Sequence, residues 1–204
     1  NGVKNPAAGR EAVAVGANAT ASHQHTIAIG RNATAKWTNA ISIGKDTVAS
    51  QDHALAMATS AKAIGIQSVG IGSYSSASAD SAVALGQNAK AGGEVPARAD
   101  KGPGTAAVAV GLNANASAAN TVATGKNAAA SVNNAIAVGV QSNASGRAAA
   151  ALGGYAAASA ERATAVGATS KASGTASFAG GTSANAAGVN SVAVGGSMEA
   201  AEAA

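Results

Sequence analysis

Cysteine is absent from the 204 residues, and aromatic residues make up only 2% of them. Without cysteine the chain has no disulfide and no thiolate chemistry, so its stability must come from packing and association. Alanine supplies most of the hydrophobic residues, which are 47% of the total. A thick globular core draws its apolar area from Leu, Ile, Phe and Val, so such a core is not expected. Thin units packed on small side chains are expected instead.

Long apolar runs and charged residues are also scarce. No run approaches the roughly 20 apolar residues needed to cross a bilayer, so we expect that this segment neither spans a membrane nor anchors itself in one. The 13 basic and 9 acidic residues give a net charge of +4. This low charge density indicates either a solubilising surface or weak attraction to acidic glycans or nucleic acid. No run of five Lys or Arg residues occurs, and no nucleic-acid partner is expected.

A four-residue unit, large apolar, small, large apolar and glycine, recurs thirteen times. Eleven of the twelve intervals between copies are 14 residues, and the interval from Val83 to Val108 is 25. A fixed period of this kind indicates a solenoid whose coils stack to share a core. We therefore predict one elongated domain over residues 1–196, with a loop inserted at about 92–104. The units begin at Val13, Ile27, Ile41, Leu55, Val69, Val83, Val108, Val122, Ile136, Ala150, Thr164, Phe178 and Val192.

Side chains within the unit alternate between bulky and small. The first and third positions are large and apolar in 22 of 26 cases, and the middle position is alanine in eleven copies. This alternation has the period of a β-strand and not of a helix. Parallel stacking at about 4.7 to 4.9 Å would pair each strand with those above and below it. Glycine at the fourth position, replaced only by Ala58, is expected where a corner needs positive φ or close packing.

Two further positions of the repeat are regular. Asparagine or aspartate often stands two residues after the glycine, as at Asn18 and Asp46, and these residue types tolerate left-handed backbone in turns. Alanine also stands five residues after the glycine position in each of the first twelve copies of the unit. We predict that these alanines lie on a second strand, in the interior of a flattened coil. These alanines are Ala21, Ala35, Ala49, Ala63, Ala77, Ala91, Ala116, Ala130, Ala144, Ala158, Ala172 and Ala186.

The large aliphatic side chains cannot share so thin an interior with the alanines. If the alanines fill the inside, a Val/Ile stripe faces outward along the whole rod and exceeds the apolar patch that a soluble monomer normally exposes. We then expect an obligate oligomer with closed cyclic symmetry, whose copy number the periodicity does not give. The opposite arrangement, with aliphatics inside and alanines at the interface, stays open at this point.

With the residues before it, the unit reads Asn-Ser-Val-Ala-Val-Gly at 190–195, Asn-Ala-Ile-Ala-Val-Gly at 134–139 and Asn-Ala-Ile-Ser-Ile-Gly at 39–44. These segments resemble the head repeats of trimeric autotransporter adhesins, the YadA-like family, and so do the stretches at 16–22 and 111–117. The resemblance covers roughly residues 10–196. It implies a left-handed parallel β-roll of 14-residue coils, an all-β fold, with three chains around a threefold axis.

The resemblance also implies a function. Heads of this family are carried on a coiled-coil stalk from the outer membrane of Gram-negative bacteria, and they attach the cell to host matrix proteins such as collagen, fibronectin or laminin, or to host cells. We accordingly predict a non-enzymatic adhesin head at the cell surface, with membrane attachment only through parts absent from this chain. A structural spacer or protective fibre that binds no ligand is the alternative. Direct binding by this segment distinguishes the two.

The candidate ligand-binding residues are few. The insertion at 92–104 is rich in charge and proline, and a loop projecting from each chain would offer Arg98 and Lys101 as contacts for anionic groups. Trp37, the sole tryptophan, is expected in a turn, where it either anchors a partner or lies over a neighbouring coil. Tyr74 and Tyr155 share one turn position and leave the same two possibilities.

Neither catalysis nor a metal or cofactor is expected. His23 and His25 would share a strand face, and His53 holds the repeat position of His25 two coils away, which separates those rings by about 9 to 10 Å. That is too far for one metal ion without a ligand from the intervening Asn39. The serines are scattered in turns, the carboxylates do not pair in a recurring geometry, and no histidine has a matched nucleophile.

The ends of the sequence carry two further expectations. The chain begins at Asn1 without methionine or a signal sequence, which suggests a piece of something longer. Residues 197–204 switch to strong helix formers without glycine. This helix-prone tail is either the start of a neck or stalk or a non-native addition.

Overall fold

The computed structural model describes residues 8–93 and 106–196, and these ranges form a parallel β-solenoid. Each coil contributes a three-residue strand to one sheet and a two-residue strand to a second sheet. The first sheet contains thirteen described strands and the second contains twelve, each stacked in chain order. The chain therefore winds from one sheet to the other and back in every coil, as the repeat predicts.

The three-residue strands carry the odd numbers, and the two-residue strands carry the even numbers. The odd-numbered strands are β1 (Val13–Val15), β3 (Ile27–Ile29), β5 (Ile41–Ile43), β7 (Leu55–Met57), β9 (Val69–Ile71), β11 (Val83–Leu85), β13 (Val108–Val110), β15 (Val122–Thr124), β17 (Ile136–Val138), β19 (Ala150–Leu152), β21 (Thr164–Val166), β23 (Phe178–Gly180) and β25 (Val192–Val194). The even-numbered strands are β2 (Thr20–Ala21), β4 (Thr34–Ala35), β6 (Val48–Ala49), β8 (Lys62–Ala63), β10 (Ser76–Ala77), β12 (Lys90–Ala91), β14 (Asn115–Ala116), β16 (Ala129–Ala130), β18 (Asn143–Ala144), β20 (Ala157–Ala158), β22 (Lys171–Ala172) and β24 (Asn185–Ala186).

Strand register confirms the period of the repeat. Equivalent residues of successive coils face each other, as Val13 faces Ile27 in the first sheet. Across the insertion Val83 pairs with Val108, and Lys90 pairs with Asn115. The eleven extra residues therefore leave the coils on both sides in register. Residues 94–105, which include most of the inserted segment, and the tail at 197–204 lie outside the described residues.

The interior of the coils is made of alanine. Every buried hydrophobic residue in the described ranges is an alanine, and most of them have no exposed surface at all. Both the middle residue of the odd-numbered strands and the second residue of the even-numbered strands belong to this core, as Ala137 and Ala130 do. The alternative in which the large aliphatics fill the interior is therefore wrong, because two sheets joined by such short turns leave room for little more than methyl groups.

Buried hydroxyl groups share this interior with the alanines. Thr26, Ser68 and Thr121 have no exposed surface, and each donates its hydroxyl to the carbonyl three residues earlier, at 2.6, 2.7 and 2.6 Å. These three hydroxyls pair with carbonyls of the turn before the strand, whereas the buried hydroxyls of Ser75 and Ser177 have no hydrogen-bond partner among the described residues. The sequence repeat did not distinguish these interior positions, because serine and threonine are equally common in exposed turns.

Left-handed backbone occurs at the two turns of each coil. Asn18 and Asp46, expected to tolerate this conformation, have φ values of 57° and 58°. Residues seven positions on, such as His25, adopt it too, with φ 57°. Side chains of successive turns also bond to one another: Asn32 donates to Asp46 at 2.7 Å, and Asn113 donates to Asn127 at 3.0 Å. These amide ladders run along the edge of the rod.

Glycine stands at the corner that follows every odd-numbered strand except β7. Gly125 has a φ of 130°, and a Cβ on it would lie 2.5 Å from the carbonyl oxygen of Gly139 in the next coil. Ala58 occupies the same coil position with a φ of 92°, so the chain accepts a methyl group there with an altered backbone. The corner glycines thus permit both the turn and the close stacking of coils.

Alanine at Gly125 is expected to lower the free energy of unfolding by about 2 to 3 kcal/mol, because the new Cβ meets a carbonyl and the backbone is in a region that L-residues avoid. The melting midpoint followed by circular dichroism would fall by roughly 4 to 12 °C. The matched control is Ala58→Gly, which relieves the same strain and should leave the midpoint unchanged or raise it. Equal destabilisation by both variants would contradict this account of the corner.

Candidate functional site

The odd-numbered sheet turns its large aliphatic side chains away from the coil. We call the first and third residues of the odd-numbered strands the aliphatic face. Ile136 is 40% exposed and Val138 is 38% exposed, whereas Ala137 between them is fully buried. The outward direction of the stripe is thus confirmed for the single chain. Nearly every described coil adds large apolar side chains to this surface, which therefore runs along the whole rod.

The even-numbered sheet presents a different surface on the opposite side. We call the first residue of each even-numbered strand, together with the residue that follows the strand, the hydroxyl face. Nearly half of its positions are serine or threonine, and Lys36, Lys62, Lys90 and Lys171 are its charged residues. Within the described ranges no acidic residue lies on this face. The carboxylates occupy the turns instead, where Glu161 lies 3.5 Å from Arg147 and 3.8 Å from Arg162.

Trp37 lies in a turn and contacts the preceding coil. Its ring stacks on that of His23 with the ring centres 4.9 Å apart and the planes inclined by 22°. The tryptophan is still 46% exposed, so one face of the ring packs against its neighbour while the remainder faces outward. Trp37 therefore has a local packing partner, and its role as a ligand contact remains a prediction.

The histidines stand in turns and not on a strand face, so that part of the sequence-based interpretation is wrong. His25 and His53 have left-handed backbone, with φ values of 57° and 59°, so neither residue is part of a β-strand. His25 Nε2 lies 3.1 Å from a carboxylate oxygen of Glu11, and His53 Nε2 lies 3.2 Å from the Asn39 amide nitrogen. Over residues 8–93 and 106–196 no group of three or more His, Cys, Asp or Glu side chains is placed to hold a metal ion.

Comparison with known families identifies this architecture. The model of the YadA head domain repeat, which spans two copies, matches residues 7–33, 38–57, 63–89, 103–128, 133–156, 158–184 and 181–197, well over half of the chain. This chain belongs to the YadA head family. YadA-like heads are extracellular surface adhesins of Gram-negative bacteria, and the family is in general non-enzymatic. The resemblance that the repeat sequence indicated is therefore confirmed.

A solved structure is also similar to this YadA-like head. The crystal structure of the collagen-binding domain of the Yersinia adhesin YadA matches at 24% sequence identity with a TM-score of 0.38, and the match covers 91% of this chain and 81% of that chain. A search of curated proteins found no match.

In this YadA-like head, a serine contacts the last residues described before the insertion. Ser78 Oγ lies 2.8 Å from the carbonyl oxygen of Gly92, 3.3 Å from that of Ala91 and 3.2 Å from that of Gly93. This hydroxyl therefore contacts the backbone of residues 91–93, directly before the residues that the structure does not describe. The candidate contacts Arg98 and Lys101 lie outside the described residues.

The described part of the head contains no helix long and apolar enough to cross a bilayer.

Proposed function

We propose that this chain is the head of a trimeric surface adhesin, which attaches a Gram-negative cell to host extracellular matrix or host cells by multivalent binding. The observation that carries the proposal is the aliphatic face, which a single chain leaves uncovered from the first described coil to the last. Membership of the YadA head family supports the adhesin role. Neither an enzymatic activity nor a cofactor is part of the proposal.

Association of several chains is proposed from the need to cover this face. Apolar surface costs about 25 cal/mol per Å² when it is left in water, and a stripe running the length of the rod exceeds what soluble monomers expose. Closed symmetry around an axis parallel to the rod would bury the stripes of all subunits at once. A left-handed winding of the coils and a copy number of three are the finer parts of this proposal, and the family resemblance supports both.

In such a trimer the hydroxyl face and the turns remain available to ligands. Weak contacts repeated on three chains and on many molecules would add through effective concentration. Collagen, fibronectin and laminin are the proposed partner class, and Trp37, Arg98 and Lys101 are the proposed contacts. Anchoring in the outer membrane would be provided by parts absent from this chain.

Binding of the purified protein to immobilised collagen, fibronectin and laminin tests the proposed function. We expect saturable binding to at least one of them, weakened by Trp37→Ala or by deletion of residues 94–104, which restores the regular 14-residue spacing. The control for Trp37 is Tyr155→Ala, an exposed aromatic residue in another turn. Absence of binding to all three proteins and to host cells would favour a spacer or protective fibre.

A further inference from the structure

A groove of about 580 Å³ runs along the hydroxyl face, on the side of the coils opposite to the aliphatic face. Lys62, Ser76 and Lys90 form its floor, and Tyr74 stands in the adjoining turn. A second groove of about 360 Å³ lies next to it and shares Lys90 and Asn115 with it. Together they form an open channel that crosses several coils, a shape that suits an extended chain better than a small molecule.

The two lysines in this groove have a regular spacing and no acidic partner. Ser76 pairs in register with Lys62 on one side and with Lys90 on the other, which places the two lysine backbones two strand spacings apart, about 9.5 Å. Both side chains are exposed, and neither has an ion-pair partner among the described residues. Two ammonium groups are thus free to bind anions repeated along one ligand.

The aspartate in the groove lining, Asp46, has polar partners of its own. Asp46 accepts a hydrogen bond from Asn32 at 2.7 Å, and its other carboxylate oxygen lies 3.8 Å from Lys45. It belongs to the turn and not to the hydroxyl face, so it does not separate the two lysines. Among the described residues of the hydroxyl face, the charges near this groove are therefore the two ammonium groups of Lys62 and Lys90.

Tyr74 adds an aromatic surface to this positive strip. Its backbone is left-handed, with φ 62°, and its side chain is 59% exposed. Most other coils place a small or amide side chain at this turn position, where the conformation costs least. A bulky residue kept in a strained conformation and pointing into water gains little from packing. Tyr155 shares this conformation and exposure, and what distinguishes Tyr74 is its place in the groove lining.

We infer that this groove binds an acidic glycan, a polysaccharide chain bearing sulfate or carboxylate groups at regular intervals. Lys62 and Lys90 would pair with successive anionic groups, Tyr74 would pack against the face of a sugar ring, and Ser76 and Asn115 would bond to ring hydroxyls. The rich supply of hydroxyl and amide groups favours a glycan over a nucleic acid, which would need several aromatic residues to stack its bases. This inference rests on the proposed adhesin function and names a ligand class and a surface for it.

The direct test is binding of a heparin-derived sulfated oligosaccharide and of a carboxylate-bearing hyaluronan oligosaccharide, measured by calorimetry on the whole protein. We expect binding to at least one of them, weaker at high salt because the contacts are ionic. The double variant Lys62→Gln/Lys90→Gln should lose roughly tenfold or more in affinity, as loss of charge-assisted hydrogen bonds requires. Tyr74→Ala should also weaken binding severalfold.

The chain provides matched controls for both changes. Lys36→Gln/Lys171→Gln removes the same charge from the same face, and Lys171 holds the register position of Lys62 and Lys90. Tyr155→Ala removes a tyrosine with the same turn conformation, φ 59°, and 60% exposure. These controls should stay within about twofold of the unchanged protein, which corresponds to about 0.4 kcal/mol.

Three results would overturn the inference. The first is no binding of either oligosaccharide, and the second is an equal loss of affinity in the control and groove variants. The third is tighter binding of single-stranded DNA than of both oligosaccharides. Matrix-protein binding measured in parallel separates this inference from the proposed function: a glycan-negative protein that still binds collagen or fibronectin refutes the groove alone, and the reverse result refutes the matrix partners alone.

Discussion

Leucine in place of Ala130 is expected to prevent the chain from folding into its solenoid. Ala130 has no exposed surface, and it stacks in register between Ala116 and Ala144, which are equally buried. Overpacking a well-filled core usually costs about 1 to 3 kcal/mol, and here the cost should exceed that range because the two sheets leave no side chain free to move aside. Each coil is stabilised only by its neighbours, so the damage would extend to adjacent coils.

Circular dichroism and solubility of the purified variant measure this effect, and the preceding residue provides the control. Ala129 is on the same strand but faces outward, at the coil position that holds Val48 and Lys62 elsewhere. Ala129→Leu should therefore keep the β-sheet spectrum and a melting midpoint within a few degrees of the original. A folded Ala130→Leu protein with an unchanged midpoint would contradict the alanine core.

Lysines introduced on the aliphatic face are expected to dissociate the assembly. Ile136→Lys and Val166→Lys would bring two charges from each subunit to the proposed axis, where they would be desolvated without partners and would repel their symmetry mates. Burying an unpaired charge costs several kcal/mol, so six of them in a trimer should favour separate chains. The solution mass is expected to fall to that of one chain, with partial unfolding as the uncovered aliphatic face meets water.

The same added charge on the opposite side of the coils is the control for this variant. Asn143→Lys and Ala157→Lys lie on the hydroxyl face of neighbouring coils and should leave the mass of the assembly unchanged. If both double variants retain the original mass, or if both dissociate, the aliphatic face is not the interface.

Much of the fold could be predicted from the sequence, because each coil repeats the same pattern of large apolar, small and glycine residues. Each regular position of the repeat reflects one constraint on the backbone, as do the alternation around Ala137, the corner glycine Gly139 and the constant alanine Ala144. With thirteen copies, these regular positions stand out even where a single copy departs from the pattern. Departures such as Ala58 and Phe178 do not break the register, since stacking on both neighbours overrides a weak local preference.

The candidate site was less predictable, because it depends on side chains from different coils. The stacking of Trp37 on His23 and the pairing of His25 with Glu11 require the winding of the chain to be known. The groove beside Lys62 and Lys90 was missed for the same reason. Lys62 and Lys90 are 28 residues apart in sequence, but in the fold a single strand separates them. The signal in the sequence that could have revealed this is that both lysines hold the same position of the repeat.

The solution mass of the unchanged protein, measured by light scattering at several concentrations, tests the central claim most directly. The account predicts a stable species near three times 18.9 kDa, because the aliphatic face requires partners along its whole length and the family resemblance favours three chains. A protein that remains folded at 18.9 kDa at every concentration would contradict it, since the exposed stripe would then be stable in water and would not be an interface.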